Sequence, residues 1–186
     1  MKIVLIRHPE PLVEPGVCYG RRLDLALTEH GMRTAAALPA DPALSGTTRI
    51  WSSPARRCRV AAEMAAESLQ LPLSIDPRLH EFDFGEWEGK KWDDIPRSEF
   101  DRWAAEPLTF RPPGGETAQD LVDRITEFVG ELLQAGEDCT IFSHGGPLKI
   151  LAAQFRGEKA DPLAPSHAFG VPVVIDPVSA KAPTYV

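Results

Sequence analysis

Histidine and arginine recur where short apolar runs end. Arg7-His8 follows Ile3-Val4-Leu5-Ile6, Arg56-Arg57 comes just after the segment TRIWSS (48–53), and His144-Gly145-Gly146 follows CTIFS (139–143). Arginine presents a planar fork that meets phosphate oxygens bidentately. A neutral imidazole nitrogen is a competent nucleophile, because histidine titrates around pH 6.5. Glycines just after a strand allow a ligand to approach the backbone closely. Two arginines, two histidines and a helix start, gathered at one spot, make a site for a phosphate dianion. Each piece alone is a short motif that arises by chance. The arginines at 56, 57 and 59 read by themselves as a solvated helix face. Their coincidence at three strand ends gives them weight.

The elements that must position these residues alternate along the chain. Ile3–Ile6 is a continuous apolar run suited to a strand buried on both faces of a parallel sheet. Residues 48–53 and 139–143 read the same way, and 171–175 is a late strand. Its Pro172 fits a strand start or an edge. Residues 71–75 form a weaker candidate with the same proline. The clearest helix spans 117–134, where Leu121, Val122, Ile125, Phe128, Val129, Leu132 and Leu133 share one face. Thr117 with Asp120 resembles a capping box, and Gly136 is a stop. Further helices are expected at 28–38, 56–69 and 147–155. The alternation predicts an α/β sandwich with a mostly parallel central sheet. Ligands in such sheets bind beyond the carboxyl ends of the strands, so Arg7, His8, Arg57 and His144 should converge there. Helix N-termini at the same edge add backbone N–H groups. Residues 77–116 break the rhythm with three of the four tryptophans, Trp87, Trp92 and Trp103. This stretch is expected as an excursion, a lid or substrate wall, with short helices near Trp92 and over 98–105.

The chain has 186 residues and a formal net charge of −7, and is expected to form a single domain over 1–186. A sequence pI near 5.2 argues against a nucleic-acid partner. Cys18, Cys58 and Cys139 are too few and too scattered for a disulfide framework, and no CxxC pair points to zinc. An odd thiol count fits a reducing compartment. There is no signal peptide and no apolar window of about 20 residues, so a cytoplasmic protein without a membrane partner is expected. A homodimer is compatible with the sequence.

In that order, the motifs LIRHPEP, SSPARRCRVAAE, LHEFDFGEWEG and FSHGG resemble the histidine phosphatase superfamily, across essentially the whole chain. The resemblance implies the three-layer α/β/α fold of phosphoglycerate-mutase-like enzymes and a metal-independent phosphomonoesterase without cofactors. His8 would be the nucleophile and would carry a phosphohistidine. Arg7, Arg57 and His144 would hold the phosphoryl oxygens, and Glu81 would protonate the leaving alkoxide and later activate water. Gly145, Tyr19 and Arg21 would contact the substrate, a small phosphate monoester. GVCYGRRLDLALTEHG, EFDFGEWEG and PPGGET are most similar to α-ribazole phosphatases of the cobalamin pathway. A broad sugar-phosphate phosphatase or a mutase is the alternative within the class. A non-catalytic phosphate-binding module is the alternative outside it, motivated by three departures: Pro9, Pro11 and Glu14 stand where the family carries glycine, threonine and asparagine.

Other residues keep plainer expectations. Asp83 is the rival acid. His30 and His80 read as surface residues, and His167 is undecided. Arg22 lies in the same loop as Tyr19 and Arg21 and reads either as part of the substrate entry or as a spare surface charge. Trp87 and Trp92 read as packing, although an aromatic wall would also receive a benzimidazole-like base. Arg7, His8, Arg57 and His144 together should form a small positive pit in a negative surface.

Overall fold

The computed structural model describes residues 1–161 and 164–176. Strands β1 (Ile3–Arg7), β2 (Arg49–Ser52), β3 (Leu73–Ile75), β4 (Cys139–Ser143) and β5 (Pro172–Ile175) form one sheet in the order β3-β2-β4-β1-β5. β1, β4, β2 and β3 run parallel, and β5 is antiparallel to β1. The two proline-marked segments are the two edges. β3 starts just after Pro72 and β5 starts at Pro172, where a missing N–H costs no ladder bond inside the sheet.

Alternation along β1 sends side chains to both faces. Ile3 and Leu5 join a core with Leu121, Ile125 and Phe128 of α4 (Ala118–Ala135) and Leu148 and Leu151 of α5 (Gly145–Arg156). Val4 and Ile6 join another with Ala35 of α1 (Glu29–Ala37) and Cys58, Ala61 and Ala65 of α2 (Arg56–Leu69). Helices on both faces of one sheet make the three-layer α/β/α sandwich expected from the alternation. Cys139 lies in the first core and Cys58 in the second.

The helix limits follow from local chemistry. Thr117 and Asp120 form the reciprocal capping box that opens α4, and Gly136 ends it at φ +65°. Thr28 caps α1 through the Gly31 N–H. α5 starts two residues before the expected Pro147. Its first-turn N–H groups have no partner inside the helix, so a proline in that turn removes no helical bond.

Residues 77–116 carry three short 3₁₀ turns and helix α3 (Arg97–Ala105). Cys18, Trp87, Ile95 and Phe110 form a third core here, backed by Phe84, Trp92, Phe100 and Trp103. Their ring pairs, such as Trp87 with Trp103 at 5.8 Å and Phe84 with Trp92 at 5.3 Å, each add about 1 kcal/mol beyond burial. The excursion is therefore a packed body held largely by aromatic side chains. Among the described residues no helix is long and apolar enough to cross a membrane.

The register sets up the site. Arg7 pairs with Ser143 and Ser52 with Phe142. The ladder continues one residue further, with His8 N–H on the Ser143 carbonyl and Ser53 N–H on the Phe142 carbonyl, both at 2.9 Å. Three adjacent parallel strands thus deliver His8, Ser53 and His144 to the same edge.

Candidate active site

His8 is fully buried at the end of β1. Its ring Nδ1 lies 2.8 Å from the Pro9 carbonyl, which can only accept. Nδ1 therefore carries the proton, and Nε2 presents its lone pair. That Nε2 is buried with no hydrogen-bond partner. Burial, reinforced by the Arg57 and Arg7 charges, pushes the imidazole down to about 3, against the opposing pull of the Pro9 carbonyl. The side chain is a neutral base with one bare nitrogen. The Pro9 carbonyl fixes this tautomer.

Arg57, the second residue of α2, is also fully buried. Its Nη1 and Nη2 donate to the carbonyls of Leu23 and Gly20 at 2.8 and 2.7 Å, and Nε is left buried without a partner. Its neighbour Arg56 is exposed and binds Asp24 through its backbone N–H. Burial thus separates two arginines that composition cannot. Arg7 donates from Nη1 to the His167 carbonyl at 3.1 Å, and its Nε is a third buried, partnerless atom.

His144 is the N-cap residue of α5. Its ring stands edge-on to His8 with centroids 5.2 Å apart. Nε2 shares a 2.8 Å hydrogen bond with Ser53 Oγ, and Cys58 Sγ lies 3.5 Å from the same nitrogen. Burial first, then the Arg57 charge, holds this imidazole well below the ordinary histidine range. Here the structure corrects the four-membered positive pit. Both histidines are neutral in the unliganded site, because desolvation and two guanidiniums oppose any further charge. The positive charge rests on Arg7 and Arg57, and Lys149 adds a cation to the neighbouring cavity lining.

Glu81 arrives from the excursion. Its Oε1 accepts from the Phe82 N–H at 2.9 Å and from the Gly146 N–H, at the start of α5, at 3.2 Å. A Cβ at Gly146 would fall 2.5 Å from that oxygen, so a larger residue there would make the carboxylate shift. The backbone of Glu81 is held by Arg124, which also donates to the Arg78 carbonyl and pairs with Glu116 at 2.8 Å. Glu116 in turn accepts the Asp83 N–H.

A cavity of about 320 Å³ opens beside this group. Its polar lining comes from Arg7, Tyr19, Glu81, Gly145, Lys149 and Ser166, and its apolar lining includes Phe82, Phe84, Trp92, Trp103, Leu121 and Ile150. The excursion therefore supplies a wall. Trp92 joins that lining as well as the core, whereas Trp87 is core alone. The Tyr19 ring lies 5.5 Å from the Arg57 guanidinium, and burial raises its hydroxyl while Arg7 and Arg57 oppose the shift. Arg21 is exposed and outside the lining; its backbone N–H binds the Phe82 carbonyl. Glu14 is exposed, and Pro11 bridges Leu27.

Two plain expectations are corrected. Arg22 is no spare charge: it pairs with Asp83 at 2.8 Å and donates to the Gly114 carbonyl. Asp83 is thereby engaged, and it also caps the Gly85 N–H. His80 is half-buried rather than a surface residue. Burial, with Arg21, Arg124 and Arg57 adding to it, pushes it down to about 4. His30 is exposed and His167 half-buried.

Lys149, Ser166 and Phe169 went unrecognised in the sequence. Lys149 is the fifth residue of α5 and brings a cation to the cavity lining. Burial, with Arg7 adding to it, lowers its ammonium, against Glu81 and Asp161.

The chain is similar to several known phosphatases. An adenosylcobalamin/α-ribazole phosphatase of Salmonella typhimurium is 29% identical over 160 residues, spanning 83% of this chain and 79% of that one. Phosphoserine phosphatase 1 of Hydrogenobacter thermophilus is 27% identical over 162 residues, 84% of this chain and 77% of that one. The crystal structure of the α-ribazole phosphatase from Shigella flexneri superposes with a TM-score of 0.85 at 26% identity, covering 95% of this chain and 90% of that one. The model of the histidine phosphatase superfamily (branch 1) matches residues 3–168, and the chain belongs to that superfamily.

Proposed function

We propose that this enzyme is a phosphomonoesterase that works through a phosphohistidine on His8. One observation carries the reading: three buried polar atoms, His8 Nε2, Arg7 Nε and Arg57 Nε, lie without partners at the ends of adjacent elements. Trp51, His80, Gln154 and His167 also carry a buried partnerless atom, but only these three face one another as two donors and one lone pair. A phosphoryl group complements that set, with oxygens that accept from the two arginines and a phosphorus open to the His8 lone pair.

The chemistry follows from the placement. The Nε2 lone pair attacks phosphorus as the ester P–O bond breaks, and the leaving oxygen takes a proton from the Glu81 carboxyl. The Glu81 carboxylate then takes a proton from water as that water attacks the phosphohistidine. The N–P bond breaks, phosphate leaves, and both side chains return to their starting forms. Arg7 and Arg57 are fixed cations for the charge spread over the equatorial oxygens. His144 contributes a neutral ring held by Ser53.

α-Ribazole 5′-phosphate is the preferred substrate in this reading. The aromatic wall of Phe84, Trp92 and Trp103 suits a flat, apolar base better than a bare sugar. The test is steady-state kinetics on α-ribazole 5′-phosphate beside phosphoserine and common sugar phosphates, with trapping of acid-labile phosphoprotein. His8→Ala should abolish both the label and turnover. Full activity in His8→Ala would overturn the mechanism, and a higher kcat/KM on a sugar phosphate would overturn the substrate.

A further inference from the structure

We propose that Phe169 is a positioning residue of the active site, an aromatic clamp that fixes the guanidinium of Arg7 and the ring of His8. The inference rests on His8 being the nucleophile, as proposed above. It concerns a segment, residues 164–170, in which no chemical motif stands out.

The contacts come from three directions. The Arg7 guanidinium carbon lies 3.8 Å from the centre of the Phe169 ring. The same ring tilts against His8 with centroids 5.3 Å apart. The backbones of Arg7 and Phe169 form an isolated parallel bridge, with the Gly170 N–H on the Arg7 carbonyl at 2.9 Å. Two residues earlier, the His167 carbonyl accepts from Arg7 Nη1 at 3.1 Å. The segment therefore grips Arg7 by its backbone, by one nitrogen and by the face of its fork.

The turn that seats Phe169 is itself anchored. Gly170 adopts φ +65°, and a Cβ there would fall 2.4 Å from Thr34 Cγ2 of α1. Glycine lets the chain pass that close and turn into β5. The ring is thus delivered by a segment fixed to both the sheet and α1.

The physical need is clear. Arg7 keeps its buried Nε unpartnered, so the Phe169 ring adds a contact to the face of a fork that is only partly hydrogen-bonded. A ring face attracts a guanidinium plane and sets its tilt. The His8 ring packs against both His144 and Phe169, with centroids 5.2 and 5.3 Å away. With Nδ1 tied to Pro9, this packing fixes the direction of Nε2. Phosphoryl transfer depends on such placement, and misplacement of a reacting group by about 1 Å can cost a hundredfold.

The test compares Phe169→Leu, Phe169→Ala and Phe169→Tyr, with Val171→Ala as the control at an exposed position. Leucine keeps an apolar cover and removes the ring face; tyrosine keeps the face. With para-nitrophenyl phosphate, kcat should fall on the order of tenfold in Phe169→Leu and further in Phe169→Ala, with KM changed less than kcat. Phe169→Tyr should recover most of kcat, and Val171→Ala should match the wild type. Orthophosphate binding by calorimetry should weaken in the leucine variant and recover in the tyrosine variant. Calorimetry needs no turnover, so it judges the clamp even if the wild type forms no phosphohistidine. Wild-type kcat and phosphate affinity in Phe169→Leu would overturn the proposal. So would a loss of activity that tracks a fall in melting temperature and is not recovered by tyrosine.

Discussion

At the residue scale, the division of labour between carboxylates is open to direct trial. Glu81 lines the cavity, whereas Asp83 is held by Arg22 and the Gly85 N–H. Glu81→Gln should lower kcat by about 10² to 10⁴ on an alkyl phosphate. The loss should be much smaller on para-nitrophenyl phosphate, whose leaving group needs little protonation. Asp83→Asn should leave kcat within about twofold and cost at most about 1 kcal/mol of stability, since its arginine is half exposed. Equal losses in the two variants would refute the assignment. Arg7, His8, Arg57 and His144 were legible because they follow strands, and strand ends can be read locally. Phe169 was not legible, since its contact with Arg7 joins residues far apart in the chain with no shared pattern. His80 was misread for a related reason. Its burial beside Arg57 and Arg124 is set by packing of the excursion, which no periodicity announces.

At the element scale, the start of α5 decides where the acid sits. Gly146→Ala should separate activity from stability. Alanine is the better helix former by roughly 1 kcal/mol, so the melting temperature should hold or rise. Its Cβ would fall 2.5 Å from Glu81 Oε1 and push the carboxylate aside, so kcat should fall at least tenfold on alkyl phosphates, the weaker end of what general-acid catalysis supplies. Unchanged turnover in that variant would show that the carboxylate does not need the helix start. Element type and order were readable throughout, including the proline-marked edges and the capped long helix. The start of α5 was not, because its first turn is shaped by a side chain 65 positions away, which the pair of glycines only permits. The Arg124–Glu116 pair, which fixes the backbone of Glu81, was also invisible, since arginine and glutamate on a helix read as solvated charge.

For the whole molecule, a net charge of −7 surrounds a site whose cations are the fully buried Arg57 and the partly buried Arg7 and Lys149. The neutral histidines have a consequence for stability. His8 and His144 take up protons far less readily folded than unfolded, so below pH ~6.5 the unfolded chain binds more protons. Stability contributed by these neutral rings is full above that pH and is lost as pH falls towards the folded values. At pH 5 the loss approaches about 2 kcal/mol for His8, and His144 adds to it in the same direction. Urea unfolding at pH 7, 6 and 5 should show a falling midpoint, partly restored by orthophosphate. A midpoint independent of pH would contradict neutral burial. Finally, the three thiols fall one into each core: Cys139 under α4 and α5, Cys58 against His144 under α2, and Cys18 within the aromatic excursion. Burial pushes each up to about 12, so none reacts as a thiolate while its core is closed. The chain thus carries three native clocks, each an alkylation rate that runs only when its own compartment breathes.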